Sequence, residues 1–318
     1  MTTPTANRQP PFCYTFTMKE IAIIGPTASG KSDLALKAAK EHNAYILSID
    51  SLSIYKEIDI ASAKPSADEL MQVKHFGINV LNPDEPFSVA TFIDLYKEAS
   101  SSARRDHKNL IIVGGTGFYL KSLMSGLSEI PQITEKTKIQ AKSLLSDPEK
   151  CYRMLFDKDP DYMKNIEKND AYRIEKMLLL YLETKTIPSK WFMMHPPKPV
   201  IPDIELFEID VKRDILRRRI VRRTEIMIEN GLIDEVCKLE QNYTRAPNCM
   251  KAIGIVEVLD YLDGKISKKE MAELIATHTA QLAKRQQTFN RNQFKNKTLL
   301  ESNELLEGID GVFAGNRE

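Results

Sequence analysis

The octapeptide GPTASGKS at residues 25–32 narrows the possible folds more than any other stretch of the chain. A glycine, four residues, then Gly-Lys-Ser is the spacing of a loop that wraps phosphate. The preceding KEIAIIG has the composition of a short buried strand. In the following DLALKAAKEH, Leu34, Ala35, Ala38 and Ala39 recur at helical spacing. Between a strand and a helix, successive backbone N–H groups and the helix N-terminus face the phosphate oxygens. Gly25, Pro26, Thr27, Ala28, Ser29, Gly30, Lys31 and Ser32 are therefore the expected phosphate-binding set. Lys31 supplies a point charge, and the Ser32 hydroxyl is placed to hold Mg²⁺.

Two later segments repeat the strand-then-turn pattern. AYILSID (44–50) ends in Asp50, and NLIIVGGTG (109–117) ends in a glycine turn carrying Thr116. Strands alternating with helices imply an α/β fold with a mostly parallel sheet, whose ligands gather beyond the strands' carboxyl ends. The loop, Asp50 and residues 114–116 should converge on one crevice. Asp50 can accept a proton or orient a nucleophile there, or it can cap the turn into SLSIYKEID. Residues 114–116 are either a plain turn or a second set of donors.

From Pro131 to about Pro202 strand-like runs give way to charged amphipathic segments, and MMHPPKPVIPD reads as an extended connection. The organisation expected is a disordered extension over 1–17, a core over 18–130, an inserted helical module over 131–203, a return to the core over 204–298 and a tail over 299–318. MKEIAIIGPTASGKS itself reads as a natural protein start, which makes Met18 a second candidate initiator.

Composition excludes more than it selects. The 45 Lys and Arg nearly cancel the 44 Asp and Glu, so overall charge points to no partner. Four cysteines without close spacing and five scattered histidines suggest neither a zinc site nor a disulfide framework. No apolar run approaches the roughly 20 residues of a membrane span, and a cytoplasmic monomer is expected.

Local charge is more telling. VKRDILRRRIVRR (211–223) places seven cations against one acid, with Arg219 and Arg223 on one helical face. AKRQQTFNRNQFKNK (283–297) has five cations, no acid, and interleaved Phe289 and Phe294. Both patterns suit polyphosphate or RNA, or else a solvated helix face. Trp191 and Phe192 could stack on a base or pack in a core. The run LIIV leads into glycines rather than the acid usual in NTP hydrolysis. A small-molecule or nucleoside kinase, which also pairs a phosphate loop with an acid after the second strand, is a competing possibility. A tRNA-binding protein with a vestigial site is another.

Taken together, GPTASGKS, DSLSIYKEIDIASAKP (50–65), GGTGFYLKSLMSGL (114–127), the helix text of 218–236 and AKRQ with Thr288 resemble the tRNA dimethylallyltransferases, in their bacterial form. The resemblance covers residues 19–297 and departs from the family's usual wording at IGIVE (253–257) and Phe289. It implies a P-loop nucleoside-triphosphate-hydrolase-like core with an inserted helical tRNA-binding module. It also implies that the loop holds the diphosphate of dimethylallyl diphosphate, and that the acceptor is N6 of adenosine 37 in the tRNA anticodon stem-loop. Asp50 would then act as proton acceptor, Thr116 would contact the bridging oxygen or the amine, and Lys31, Arg223 and Mg²⁺ would stabilise the leaving group.

Overall fold

The computed structural model describes residues 16–201 and 203–314. The expected extension over 1–17 therefore lies outside the described residues but for Phe16 and Thr17. Among the described residues two compact units are present, one formed by 16–120 with 203–314 and the other by 121–201.

The first unit is built on a sheet of six parallel strands: β1 (Glu20–Ile24), β2 (Ala44–Ser48), β3 (His75–Phe76), β4 (Asn109–Gly114), β5 (Glu205–Ile209) and β6 (Thr298–Leu300). They lie in the order β3-β2-β4-β1-β5-β6. Central strands of a parallel sheet are covered on both faces and so read as continuous apolar runs, and every residue of β4 is buried. Helices α1 (Lys31–Glu41), α2 (Ala67–Gln72) and α3 (Val89–Arg105) fall in its first half, and α4 (Gly117–Ser125) begins there and ends in the second unit. Leu34, Ala35, Ala38 and Ala39 of α1 join Ile21, Ile23, Ile111 and Val113 in one cluster. The buried Phe92, Tyr96, Ala99 and Ala103 of α3 pack on β2 and β4 yet stand outside that cluster, so α3 covers the opposite face.

The second unit is all helical: α5 (Glu135–Leu144), α6 (Pro148–Lys158), α7 (Pro160–Met163), α8 (Ala171–Thr184) and α9 (Pro188–Met194). Its sequence punctuates these helices clearly. Thr134, Asp147, Asp159 and Asp170 accept from backbone N–H groups as N-caps, and α6, α7 and α9 each begin with proline. Tyr152, Leu155, Met163, Ile174 and Leu178 form its core. Phe192 packs against this core, stacked on Tyr162, and Trp191 stacks on His195 while donating to the Glu129 carbonyl at 2.9 Å. Both rings are thus occupied in packing.

The chain then returns to the first unit as β5, α10 (Arg213–Glu229), α11 (Leu232–Tyr243), α12 (Ile255–Leu262) and α13 (Lys268–Gln293). Residues 299–314, expected as a tail, instead contribute the end of β6 and α14 (Ser302–Ala314), whose Leu305, Ile309 and Phe313 join the cluster beneath α1. Phe294 is 4% exposed and packs edge-on to Phe289.

One buried network ties α13 to the sheet. Glu208 of β5 accepts from Asn290 Nδ2 at 2.8 Å and pairs with Lys297 Nζ at 2.7 Å. Lys297 and Glu208 side chains are only 12% and 7% exposed, so removing one partner leaves the other charged and desolvated. Lys297→Ala should lower unfolding free energy by about 3 kcal/mol, read by denaturant titration. The loss should shrink when Glu208→Gln is added.

Candidate active site

The strand order places β2, β4 and β1 side by side, so the three segments that follow them emerge at one edge of the sheet. After β1 the chain enters the phosphate loop, with Ala28 (φ 62°) and Gly30 (φ 91°) in the left-handed region just before α1 starts at Lys31. The first N–H groups of α1 have no partner within the helix and are free to bind an anion. Lys31 Nζ donates to the Pro26 carbonyl at 3.1 Å.

Asp50 lies just past β2. Its Oδ1 accepts from Leu52 N at 2.8 Å and Ser53 N at 3.2 Å. The turn-capping and the chemical roles are therefore compatible, since one oxygen fixes the turn and the carboxylate is left with a second. The glycine turn after β4 lets the backbones close in. A Cβ on Gly114 would sit 2.6 Å from Ile49 Cγ1 and 3.3 Å from Asp50 N, and one on Gly115 would fall on the Gln286 amide.

Helices α10 and α13 complete the loop's surroundings. Arg219 Nη1 donates to the Ser29 carbonyl at 2.9 Å and Arg223 Nη1 to Thr27 Oγ1 at 3.2 Å. Arg218 and Arg222 instead pair with Asp214 and Glu225 on the exposed side. Arg219 and Arg223 thus bond the loop, while Arg218 and Arg222 stay exposed, Arg222 also bordering the cleft over the loop. Gln286 Oε1 accepts from Thr27 N at 2.8 Å. It lies in the AKRQ stretch, but its pairing with a loop 259 residues away leaves no local signal.

Three spaces that share lining residues surround these groups. A broad cleft of about 1170 Å³ opens over the loop, with Lys31, Lys37, Arg219, Arg222 and Arg223 on its walls. An inner cavity of about 160 Å³ is lined by Lys31, Ser32, Asp50 and Arg223. A further cavity of about 300 Å³ is lined by Asp50, Thr116, Lys251, Thr279, Gln286 and Arg223. Thr27, Asp50, Ser62 and Arg223 line both of the latter two. Every residue expected of the site borders at least one of these spaces except Gly25 and Pro26, which shape the loop from behind.

Burial pulls the Lys31 ammonium down to about 8, against the raising field of Asp50 and with a smaller lowering from Arg223. Burial likewise lowers Arg223, with Asp50 opposing. Two cations are held in one desolvated place with a single carboxylate between them, an arrangement that favours a polyanion.

The family profile described as IPP transferase matches residues 53–293. A tRNA dimethylallyltransferase of Sulfurimonas denitrificans is 61% identical over 87% of this chain and 93% of its own length. The chain belongs to the tRNA dimethylallyltransferases. One from Nautilia profundicola is 55% identical over 91% of the chain and 98% of its own length. Among solved structures, the tRNA isopentenylpyrophosphate transferase of Bacillus halodurans aligns with a TM-score of 0.69 at 29% identity, covering 94% of this chain and 97% of that one. A eukaryotic dimethylallyltransferase captured acting on tRNA aligns at 0.82 and 26% identity, covering 94% and 80%.

Because only protonated Lys31 attracts an anion, affinity for inorganic diphosphate should fall as pH rises through its value of about 8. Measured against Lys31→Arg, whose cation does not titrate in this range, titration calorimetry should show a loss of about tenfold between pH 7 and pH 9. Gln286→Ala leaves Thr27 N unpaired and should weaken diphosphate binding several-fold, on the order of 1 kcal/mol, read by the same calorimetry.

Proposed function

We propose that this chain transfers the dimethylallyl group of dimethylallyl diphosphate to N6 of adenosine 37, beside the tRNA anticodon, releasing diphosphate. The observation that carries this is the position of Asp50 and Arg223 on both of the smaller cavities, one bounded by Lys31 and Ser32 of the phosphate loop and the other by Thr116, Thr279 and Gln286. A reaction between a diphosphate ester and a base needs such a place, reached from two sides and sharing one carboxylate and one cation.

The donor's diphosphate lies in the loop against Lys31 and Arg223, with its allylic carbon toward Asp50. The adenine, flipped out of the anticodon loop, enters the cavity lined by Thr116 and Thr279. Its exocyclic amine is a weak nucleophile because the lone pair is delocalised into the ring. Asp50 accepts a hydrogen bond from N6 and takes its proton as the N6–C1 bond forms. The C1–O bond breaks with its electron pair passing to the diphosphate, where Lys31, Arg223 and the loop amides hold the growing charge. Thr116 lines the second cavity and not the inner one, which favours contact with the amine over the bridging oxygen.

Ser32 lines the inner cavity, and its hydroxyl is a hard oxygen donor that would hold Mg²⁺ beside the donor's diphosphate. When bound, the metal would add Lewis-acid stabilisation of the leaving diphosphate. We assign the helical unit Lys121–Pro202 to holding the anticodon stem-loop. No helix among the described residues is long and apolar enough to cross a membrane.

Incubating the protein with Mg²⁺, dimethylallyl diphosphate and unmodified tRNA, and reading nucleosides by mass spectrometry, tests the reaction directly. Prenylated adenosine at position 37 is expected. ATP consumption in a parallel tube without prenylation would favour a kinase instead. Asp50→Ala should slow turnover by several hundred-fold, the scale of a lost acid–base group, with donor affinity nearly unchanged. An equal loss of donor binding would remove Asp50 from the proton-accepting role.

A further inference from the structure

Glu235, in the first turn of α11, grips three consecutive peptide N–H groups. Its Oε2 accepts from Asp59 N at 2.9 Å and Ile60 N at 2.7 Å, and its Oε1 from Ala61 N at 2.9 Å. Successive N–H groups aimed at one point form a nest, the kind of concavity that otherwise binds an external anion. Here the protein fills it with its own carboxylate.

The chain beyond the nest folds back tightly. Ala63 N donates to Ile60 O at 2.9 Å and Lys64 N to Asp59 O at 3.0 Å, with Ala63 in the left-handed region at φ 48°. The Lys64 ammonium closes the turn, donating to Tyr55 O at 2.6 Å, Asp59 Oδ1 at 2.7 Å and Asn79 Oδ1 at 2.6 Å. This turn is a shared wall of the site. Ala63, Lys64 and Pro65 line the inner cavity with Lys31 and Ser32, and Ala61 and Ser62 line the other with Asp50 and Thr116. The far end of α11 holds the same segment, where Tyr243 Oη donates to Glu57 Oε1 at 2.6 Å.

Glu235 itself lines none of these spaces. It can act on the reaction only through the turn. We propose that Glu235 is a positioning residue for prenyl transfer: by filling the nest at residues 59–61 it fixes the wall at 62–65 against which the donor's diphosphate end lies. The proposal rests on the function set out above. Without the carboxylate, three N–H groups lose their common acceptor and the wall gains freedom to move away from the loop.

Steady-state kinetics of the full chain with dimethylallyl diphosphate and tRNA, run for wild type, Glu235→Ala and Glu235→Gln beside melting temperatures, provide the test. Glu235→Ala should raise KM for the diphosphate about tenfold while kcat changes less. Millimolar acetate should lower that KM again, because a small carboxylate can refill the nest, and should leave wild type unaffected. Glu235→Gln, with one acceptor oxygen, should fall between the two. It carries the test alone if the alanine variant does not fold. An unchanged KM in the variants overturns the proposal. So does a raised KM that is equal in both variants and indifferent to acetate, which is the mark of a merely structural loss. Failure of wild type to prenylate tRNA in the same assay overturns the functional assignment itself and the role of Glu235 with it.

Discussion

Three neighbouring parallel strands ending at one edge of the sheet are the constraint from which the site follows. Because β4 sits between β1 and β2, the phosphate loop, Asp50 and the glycine turn have to share a crevice no wider than a few strand spacings of about 4.8 Å. Glycines at 114 and 115 permit that approach, one letting the strand end reach Ile49 and Asp50, the other admitting Gln286. Gln286 then fastens the loop from the α13 side through Thr27. The loop is thereby held from the sheet and from the C-terminal helices together.

Within that crevice the electrostatics are unbalanced by construction. Lys31 and Arg223 are both lowered by burial, and Asp50 offsets them only in part. A diphosphate leaving group, whose negative charge grows as its bond to carbon breaks, is the species that such a place stabilises more in the transition state than before it. In the proposed reaction, the position of Asp50 on both cavities lets the same carboxylate steady the cations and meet the incoming amine.

The parts of the fold that were legible in the sequence are those whose chemistry is local. Fully buried strands such as LIIV stand out because both faces are covered, and the loop announces itself by spacing. The helical unit was marked by the loss of strand-like runs, by charged amphipathic segments and by the proline-rich connection at its end. Less visible were β3, only two residues long, and β6 with α14, where an edge strand of partly exposed residues carries no alternation to read. The spacing of Leu305, Ile309 and Phe313 on α14 was the available clue. Lys31, Asp50 and Thr116 were expected of the site from their motifs, and Arg219 and Arg223 from their shared helical face, whereas Gln286 and Glu235 pair with partners over 170 residues away. A polar residue on a helix looks solvated until its partner is known.

The most direct measurement is a crystal structure of this chain with an anticodon stem-loop and a non-transferable thio analogue of dimethylallyl diphosphate. The account predicts the diphosphate in the loop beside Lys31 and Arg223, adenine 37 in the cavity lined by Thr116, and N6 within hydrogen-bonding reach of the Asp50 carboxylate. Adenine and donor entering from the same side, or N6 bound away from Asp50, would contradict it.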